Sequence, residues 1–598
     1  MDRGCSNTSG RMFRARFPST AADRSGKTQG NAMILGLDVG GTHTDVVLID
    51  KDGIHRQTKV PTDHADLLGC VRAGIEGVTG GIPPDGISRV VLSTTLTTNA
   101  IIEGKTNETA VIVSAGPGVD PEFFRTGPHY YCVAGSIDHR GREIQSVKTS
   151  EIQAIASKLK TDGVRQVAVV SKFSVRNPKH ETQVRDILGD SFFNVVLGHR
   201  LSGNLNFPRR IATAYLNAAV CETHRRFFDA VRESLEKKGL NVPIYVLKAD
   251  GGTMSLEASL QCPGQTILSG PAASVMGSLP FASETEETLV LDIGGTSTDM
   301  AILIRKVPLL DPLGCELGGY KTLIRALKTV SIGLGGDSVV RLADGGLSIG
   351  PDRKGPAMAY GGPVPTPTDA LFVLGKVNDG DAGSSRRGLQ PIADGLGMSL
   401  EDTANRVFDE ACRKILSAAG EMISNINSKP VYTVQELLGG YQVRPGEILV
   451  LGGPAPHFAR RLGDFTDSRV RVVPRWQVAN ALGAALAKNT SEVTLFADTE
   501  RGIAVAPEED FYKTVKRDFD RESAVRLAFD LLRDKCVKQG AVESELEMEV
   551  IEDIQFNMVR SFYTSGRNIR VKVQVKPGLI PGYREIADRL AESVPPQT

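Results

Sequence analysis

A mixed α/β fold with two similar lobes is predicted by three features of the sequence. The first is a repeated string: Leu37-Asp38-Val39-Gly40-Gly41-Thr42-His43-Thr44-Asp45 returns as Leu291-Asp292-Ile293-Gly294-Gly295-Thr296-Ser297-Thr298-Asp299, with changes only at Val39/Ile293 and His43/Ser297. Each copy lies between two apolar runs of strand type, so each reads as a β-hairpin, and repetition at this distance suggests two halves facing one another across a cleft. The second is the alternation of buried-strand runs with helical segments, which implies a mixed sheet. The third is Glu447-Ile448-Leu449-Val450-Leu451 followed by Gly452-Gly453-Pro454, a buried strand that ends where the backbone can approach a flat ligand such as adenine.

The hairpin turns have the composition of an anion site. Gly40, Gly41, Gly294 and Gly295 lack the Cβ that keeps a backbone away from a phosphate, and Thr42, Thr44, Thr296 and Thr298 supply hydroxyl donors. Asp38 and Asp292, at the ends of the first strands, cannot face a phosphate directly. Their natural partner is a magnesium ion, which keeps several waters and takes few protein ligands. One such string could be a plain hairpin turn, but two in the same context point to a shared site, because one hairpin alone cannot wrap a triphosphate. His43 reads as a polar turn residue, since the second copy has Ser297 in its place.

Composition narrows the function. At 598 residues and 41% hydrophobic content the chain is long enough for about three or four domains. Lys plus Arg and Asp plus Glu both number 70, for a formal net charge of +0, so there is no basic surplus for nucleic acid or an anionic membrane. The 8 cysteines are dispersed, with no CxxC and no metal-ligand spacing, which fits a reducing cytoplasm and no zinc site. No apolar stretch approaches the roughly 18 residues that span a bilayer.

In chain order, residues 1–32 are polar and unpatterned and read as a disordered extension, with Met33 opening the first strand. Val90-Val91-Leu92 is a strand leading into Ser93-Thr94-Thr95-Leu96-Thr97-Thr98-Asn99, a row of hydroxyls that serves either as helix caps or as groups over the cleft. Strands at Ala110-Val111-Ile112-Val113 and Gln166-Val167-Ala168-Val169-Val170 flank a helix from Ser150 to Thr161. A long helix runs from Pro208 to Lys238, with Gly239 as its stop. Ser269-Gly270-Pro271 has the form of an N-cap, and its N–H groups face either an anion or only their own helix. Small residues there (Ala272, Ala273, Ser274, Gly277) and in Ala479-Asn480-Ala481-Leu482-Gly483-Ala484-Ala485-Leu486 suit two helices that join lobes able to hinge. Gly333-Leu334-Gly335-Gly336-Asp337-Ser338 is a turn that closes over a phosphate or is simply a loop. The tail reads as an α+β module: a helix from Glu522 to Gly540 and strands from Glu545 to Phe556 and Asn568 to Val575.

Two phosphate hairpins, an adenosine loop and two connecting helices in this order resemble the ATPase superfamily of actin, hexokinase and the heat-shock chaperone ATPases. Further motifs narrow the resemblance to the hydantoinase A/5-oxoprolinase family, which includes acetone carboxylase-type subunits. They include Thr94-Thr95 through Asn99 and Glu103, Asn177-Pro178-Lys179-His180-Glu181, Leu268-Ser269-Gly270-Pro271, Pro365-Thr366-Pro367-Thr368-Asp369, and Gly452-Gly453 through His457. The resemblance implies a two-lobed actin-like (ribonuclease H-like) ATPase fold with a small α+β C-terminal module. It divides the chain into lobes at 33–205 and 206–490 and a module at 491–598.

The resemblance also implies ATP and Mg2+ as cofactors, with Asp38, Asp292 and Thr95 as catalytic residues and both aspartates toward the metal. Gly40, Gly41, Thr42, Thr44, Gly294, Gly295, Thr296, Thr298, Gly335, Gly336, Gly452 and Gly453 hold the nucleotide, and His457 matches a family histidine. The implied activity is ATP-dependent activation of a cyclic amide or imide before ring opening, with a hydantoinase B-like partner subunit. The alternatives are a subunit of an ATP-dependent ketone carboxylase and an ATPase that activates another protein. The chain departs from the family at Asp337, where many members have glycine, at Ala249-Asp250, where they have Ser-Asn, and across Pro356-Ala357-Met358-Ala359-Tyr360-Gly361.

Overall fold

The computed structural model describes residues 33–592 except 64, 344–345, 429–440 and 561, so the expected extension over residues 1–32 lies outside the described residues. The first hairpin pairs Met33–Val39 with His43–Asp50, in a register that sets Asp38 opposite Asp45. Side chains alternate across these strands. Leu35, Leu37, Val46 and Leu48 meet Phe228, Val231 and Leu235 of the long helix Phe207–Lys237, whereas Val47 and Ile49 turn to Ala481, Ala484 and Ala485 on the opposite face.

The two hairpins organise two sheets of the same design. In the first, the hairpin strand Met33–Val39 runs parallel to Ile87–Thr94, which runs parallel to Ile244–Leu247, while His43–Asp50 and Gly53–Pro61 continue antiparallel on the other side. In the second, Glu287–Ile293 runs parallel to Glu447–Leu451, which runs parallel to Arg469–Val472, while Thr298–Ile304 and Val307–Pro308 continue antiparallel. Matching order and direction make this the two-lobed actin-like arrangement expected from the repeat. The first sheet also takes Thr253–Ser255 at its edge, so the chain returns to the first lobe well after residue 205.

Two short helices join the lobes, Ser269–Ser278 and Ala479–Leu486. They cross at backbone distance. A Cβ on Gly277 would lie 2.1 Å from the Ala479 carbonyl oxygen, and one on Gly483 would lie 2.1 Å from that of Ala273. Gly36, in the first strand, admits the same second helix, since a Cβ there would lie 2.4 Å from the Ala481 oxygen.

A parallel four-stranded sheet, Tyr130–Cys132, Thr109–Ser114, Gln166–Ser171 and Asn194–Leu197, forms an insert beside the first lobe. The long helix packs along it, capped by Asn206, which accepts from the Arg209 N–H, with Pro208 in its first turn. After the second joining helix an antiparallel sheet of five strands forms the expected C-terminal α+β module, with helix Arg521–Lys538 burying Ala524, Ala528 and Leu532 against it. The last helix among the described residues, Tyr583–Glu592, leaves this module and returns to the first lobe, where Arg589 pairs with Asp52.

Candidate functional site

Each Gly-Gly turn is closed in the same way. The Gly40 N–H donates to the His43 carbonyl at 3.1 Å, and the Gly294 N–H donates to that of Ser297 at 2.9 Å. These two amides therefore shape the turns, and the approach to a ligand falls to the following positions. A Cβ on Gly41 would meet nothing within 4 Å, Thr42 is half-buried and Thr296 is exposed. Thr44 and Thr298 are buried: the first shares a contact of 3.2 Å with the Thr62 hydroxyl, and the second donates to the Leu334 carbonyl at 2.6 Å. Thr298 thus ties the second hairpin to the glycine-rich loop.

That loop lies directly on the second turn. The Gly336 N–H donates to Gly294 O at 2.9 Å and the Asp337 N–H to Gly295 O at 2.7 Å. A Cβ on Gly335 would sit 2.4 Å from Gly294 O, so glycine is required there by close approach. Gly452, with φ of 94°, packs the end of strand Glu447–Leu451 against the same hairpin, where a Cβ would lie 2.2 Å from Ile293 O and 2.7 Å from Asp292 Oδ1. Gly453 is exposed, and a Cβ there would meet nothing within 4 Å.

The aspartates converge. Asp292 Oδ2 accepts from the Ser274 hydroxyl at 2.5 Å and from the Asn480 side-chain amide at 3.1 Å, one partner from each joining helix. Asp38 is buried, and its Oδ1 has no hydrogen-bond partner among the described residues. Burial pushes its pKa up to about 7, the charges of Asp45 and Asp292 add to the rise, and a contact with Asn480 works against it. Asp45 is raised by burial and by Asp292, and partly relieved by Lys59, whose Nζ lies 2.6 Å from its Oδ1. Asp299 is raised to about 7 by burial and then by Asp292. Asp292 thus acts on both acids of the first hairpin string and on its own partner Asp299.

A divalent cation fits this arrangement. The unpartnered Asp38 oxygen and the mutual repulsion of the carboxylates are both relieved by a positive ion. Among the described residues no group of three or more His, Cys, Asp or Glu side chains is arranged to hold a metal alone, so the remaining ligands would be water and phosphate oxygens.

Thr95 lies at the end of the first lobe's central strand, where its N–H and hydroxyl both point to Val39 O, at 3.2 and 3.3 Å. The other hydroxyls of its row bind inward: Thr97 meets Thr266 at 3.1 Å, and Thr98 accepts from the Leu268 N–H at 2.9 Å. The Ser269 cap expected from sequence is not formed. Leu268 takes a left-handed conformation, φ 61°, as the residue before the helix, and the Ser269 hydroxyl donates instead to Thr94 O at 2.9 Å. His43 sits in the first turn with its pKa lowered by burial and by the charges of Lys59 and Arg353. His457 lies on helix Ala455–Gly463, lowered by burial and then by Lys376.

Two partners in the site come from outside the hairpin motifs. Ser274 and Asn480 stand among small residues that signal only helix packing, and Asp45 and Asp299 end the repeated string without any local sign of their burial. The repeat itself was the signal that could have singled out the second pair.

Residues 34–192 match the hydantoinase/oxoprolinase N-terminal region, and residues 210–493 match the hydantoinase/oxoprolinase model. Caprolactamase subunit alpha of Pseudomonas jessenii is 26% identical over 492 residues, which is 75% of this chain and 69% of that one. The acetophenone carboxylase gamma subunit of Aromatoleum aromaticum is 23% identical over 594 residues, 88% of this chain and 77% of that one. A solved nucleotide-free acetone carboxylase structure shares the fold with a TM-score of 0.68 and 18% identity, covering 92% of this chain and 88% of that one. Two adjacent family regions thus run from the first hairpin to the edge of the C-terminal module, and the protein belongs to the hydantoinase/oxoprolinase family.

Proposed function

We propose that the chain binds ATP with magnesium between its lobes and phosphorylates the amide or imide oxygen of a small cyclic substrate, priming the ring for opening. One observation carries the reading: Asp38 and Asp292 hold equivalent places in two equivalent hairpins, and Asn480 on a joining helix bonds to Asp292 and lowers the raised pKa of Asp38. A site with two phosphate turns and two inward carboxylates suits a metal-bound polyphosphate, and family membership together with the lactam-acting relative supports the cyclic amide.

The protein's part is positioning and charge compensation, with no covalent step on a side chain. The exposed Thr296 and half-buried Thr42 offer hydroxyls to the phosphates, and Gly452-Gly453 leaves room for the adenine face. Asp38 and Asp292 would hold the magnesium, which when bound neutralises phosphate charge. Gly335 and Gly336 bring the loop over the second turn. Thr95, at the end of the first lobe's central strand, would orient the acceptor toward the terminal phosphoryl group. Phosphorylation converts an inert amide oxygen into a leaving group, and water opens the ring here or on a hydantoinase B-like subunit that shields the intermediate. The subunit names of both relatives support such a partner. No helix among the described residues is long and apolar enough to cross a membrane, and the free cysteines among the described residues suit a cytoplasmic setting.

A second reading, a subunit of an ATP-dependent ketone carboxylase with an enol as phosphate acceptor, is favoured by the acetophenone carboxylase relative. Phosphate release from ATP, measured against a panel of lactams, hydantoins and ketones with and without a B-like subunit, tests both. Stimulation by lactams or hydantoins supports the first, stimulation by ketones with bicarbonate replaces it with the second, and indifference to every small acceptor overturns both.

A further inference from the structure

An ion pair stands against the second Gly-Gly turn, in the glycine-rich loop. Asp337, in the glycine-rich loop, accepts from Arg353 Nη2 at 3.2 Å, and the strand register sets Arg353 opposite Ser338, the residue after Asp337. Asp337 itself lies on the second Gly-Gly turn. Its N–H donates to Gly295 O at 2.7 Å, and its Oδ2 is 2.5 Å from where a Cβ on Gly295 would stand.

The pair is poorly explained as a structural ion pair. Asp337 is a single acceptor for a guanidinium with five N–H donors, and Arg353 Nε is buried with no hydrogen-bond partner among the described residues. The charge of the guanidinium also helps to lower the pKa of His43 in the first hairpin. An arginine fork with an unused donor, held by a carboxylate beside a phosphate turn, matches the bidentate geometry of a phosphoryl group. The other groups facing this pair are Asp369, whose charge bears on Asp337, and Lys59, whose charge bears on His43. Asp369 fixes the altered loop, accepting from the Met358 and Ala359 N–H groups at 3.0 and 2.9 Å.

We propose that Arg353 is the side chain that engages the terminal phosphoryl group of the bound triphosphate, with Asp337 as its positioning residue. The inference rests on the ATP reading above. In the transfer, the bond from the γ-phosphorus to the β,γ-bridging oxygen breaks, ADP leaves with the electron pair, and the acceptor oxygen forms the new P–O bond. Arg353 neither gives nor takes a proton in this step; it compensates charge on the phosphoryl oxygens as they pass from donor to acceptor.

The test compares a non-hydrolysable ATP analogue with ADP, both with magnesium, by calorimetric titration of the full chain. Arg353→Ala should weaken the analogue by about 10- to 100-fold, the range for lost charge-assisted hydrogen bonds, and leave ADP within about twofold. Arg353→Lys should recover part of the loss. Asp337→Asn should reduce the preference for the triphosphate with an unchanged melting temperature, because it frees the guanidinium without removing it. Equal loss of both nucleotides in Arg353→Ala, or no loss of either, overturns the proposal. A parent protein that binds neither nucleotide overturns the ATP reading beneath it, a distinguishable result.

Discussion

The side-chain amide of Asn480 donates to Asp292 Oδ2 at 3.1 Å, and Asn480 also lowers the raised pKa of Asp38 in the other lobe. A residue on a joining helix therefore bears on two carboxylates that belong to different sheets. Removing it should misplace both acids while leaving each hairpin intact.

Asn480→Ala should lower kcat for ATP hydrolysis by about 10- to 100-fold, the effect of losing an outer-shell partner of a metal ligand. Asp38→Asn and Asp292→Asn should each abolish turnover with the fold retained by circular dichroism. Parent-like hydrolysis in either aspartate variant would show that the hairpins do not share a metal-nucleotide site.

The raised acids give a pH signature. Asp38 and Asp299, each moved from 3.8 to about 7, hold protons in the folded state that the unfolded chain releases. Their contribution is fully present below about pH 4 and is lost as pH rises through 7, by at most about 4 kcal/mol for each group. The ligand-free protein should melt at a lower temperature at pH 8 than these groups allow at pH 5. Asp38→Asn should flatten that slope, and magnesium with ADP should stabilise the parent more at pH 8 than at pH 5. A thermal-shift series across this range reads all three.

Gly483→Ala places a methyl group 2.1 Å from Ala273 O and 2.4 Å from Gly277 N, both backbone atoms of the facing helix. Overpacking of this kind should cost about 1–3 kcal/mol or more, seen as a lower urea midpoint. An unchanged midpoint would mean that the helices are not in contact at this crossing.

The adenosine loop allows a paired test. Gly452→Ala must hold φ near 94° and press on Ile293 O, so it should lose both stability and nucleotide affinity. Gly453→Ala meets nothing within 4 Å, so it should melt like the parent while binding ATP several-fold more weakly. Equal ATP affinity in Gly453→Ala and the parent would remove this loop from the site.

The hairpins were legible because their information is local: alternating apolar strands, a Gly-Gly turn and a second copy. The long helix expected from Pro208 to Lys238 forms as Phe207–Lys237, and the C-terminal helix and two strands form within a few residues of expectation, since caps and periodicity are also local signals. Sheet membership was not legible. Nothing in Ile244-Tyr245-Val246-Leu247 says that it joins the sheet of Met33–Val39, because pairing is decided by long-range packing. Ser269 misled for a related reason: the left-handed Leu268 carries its hydroxyl to Thr94 O, a partner remote in sequence. Arg353 and Asn480 were invisible as site residues because their roles exist only once distant segments meet.

The return of helix Tyr583–Glu592 to the first lobe has a consequence for synthesis on the ribosome. Asp52, beside the strand Gly53–Pro61, is made 537 residues before its partner Arg589. With Ile244–Leu247 also needed to complete the same sheet, the nascent first lobe waits with an open edge and an uncovered apolar face. Contacts of such long sequence separation slow folding and expose the chain to association, so this lobe, made before the segments that complete it, needs chaperone cover during translation.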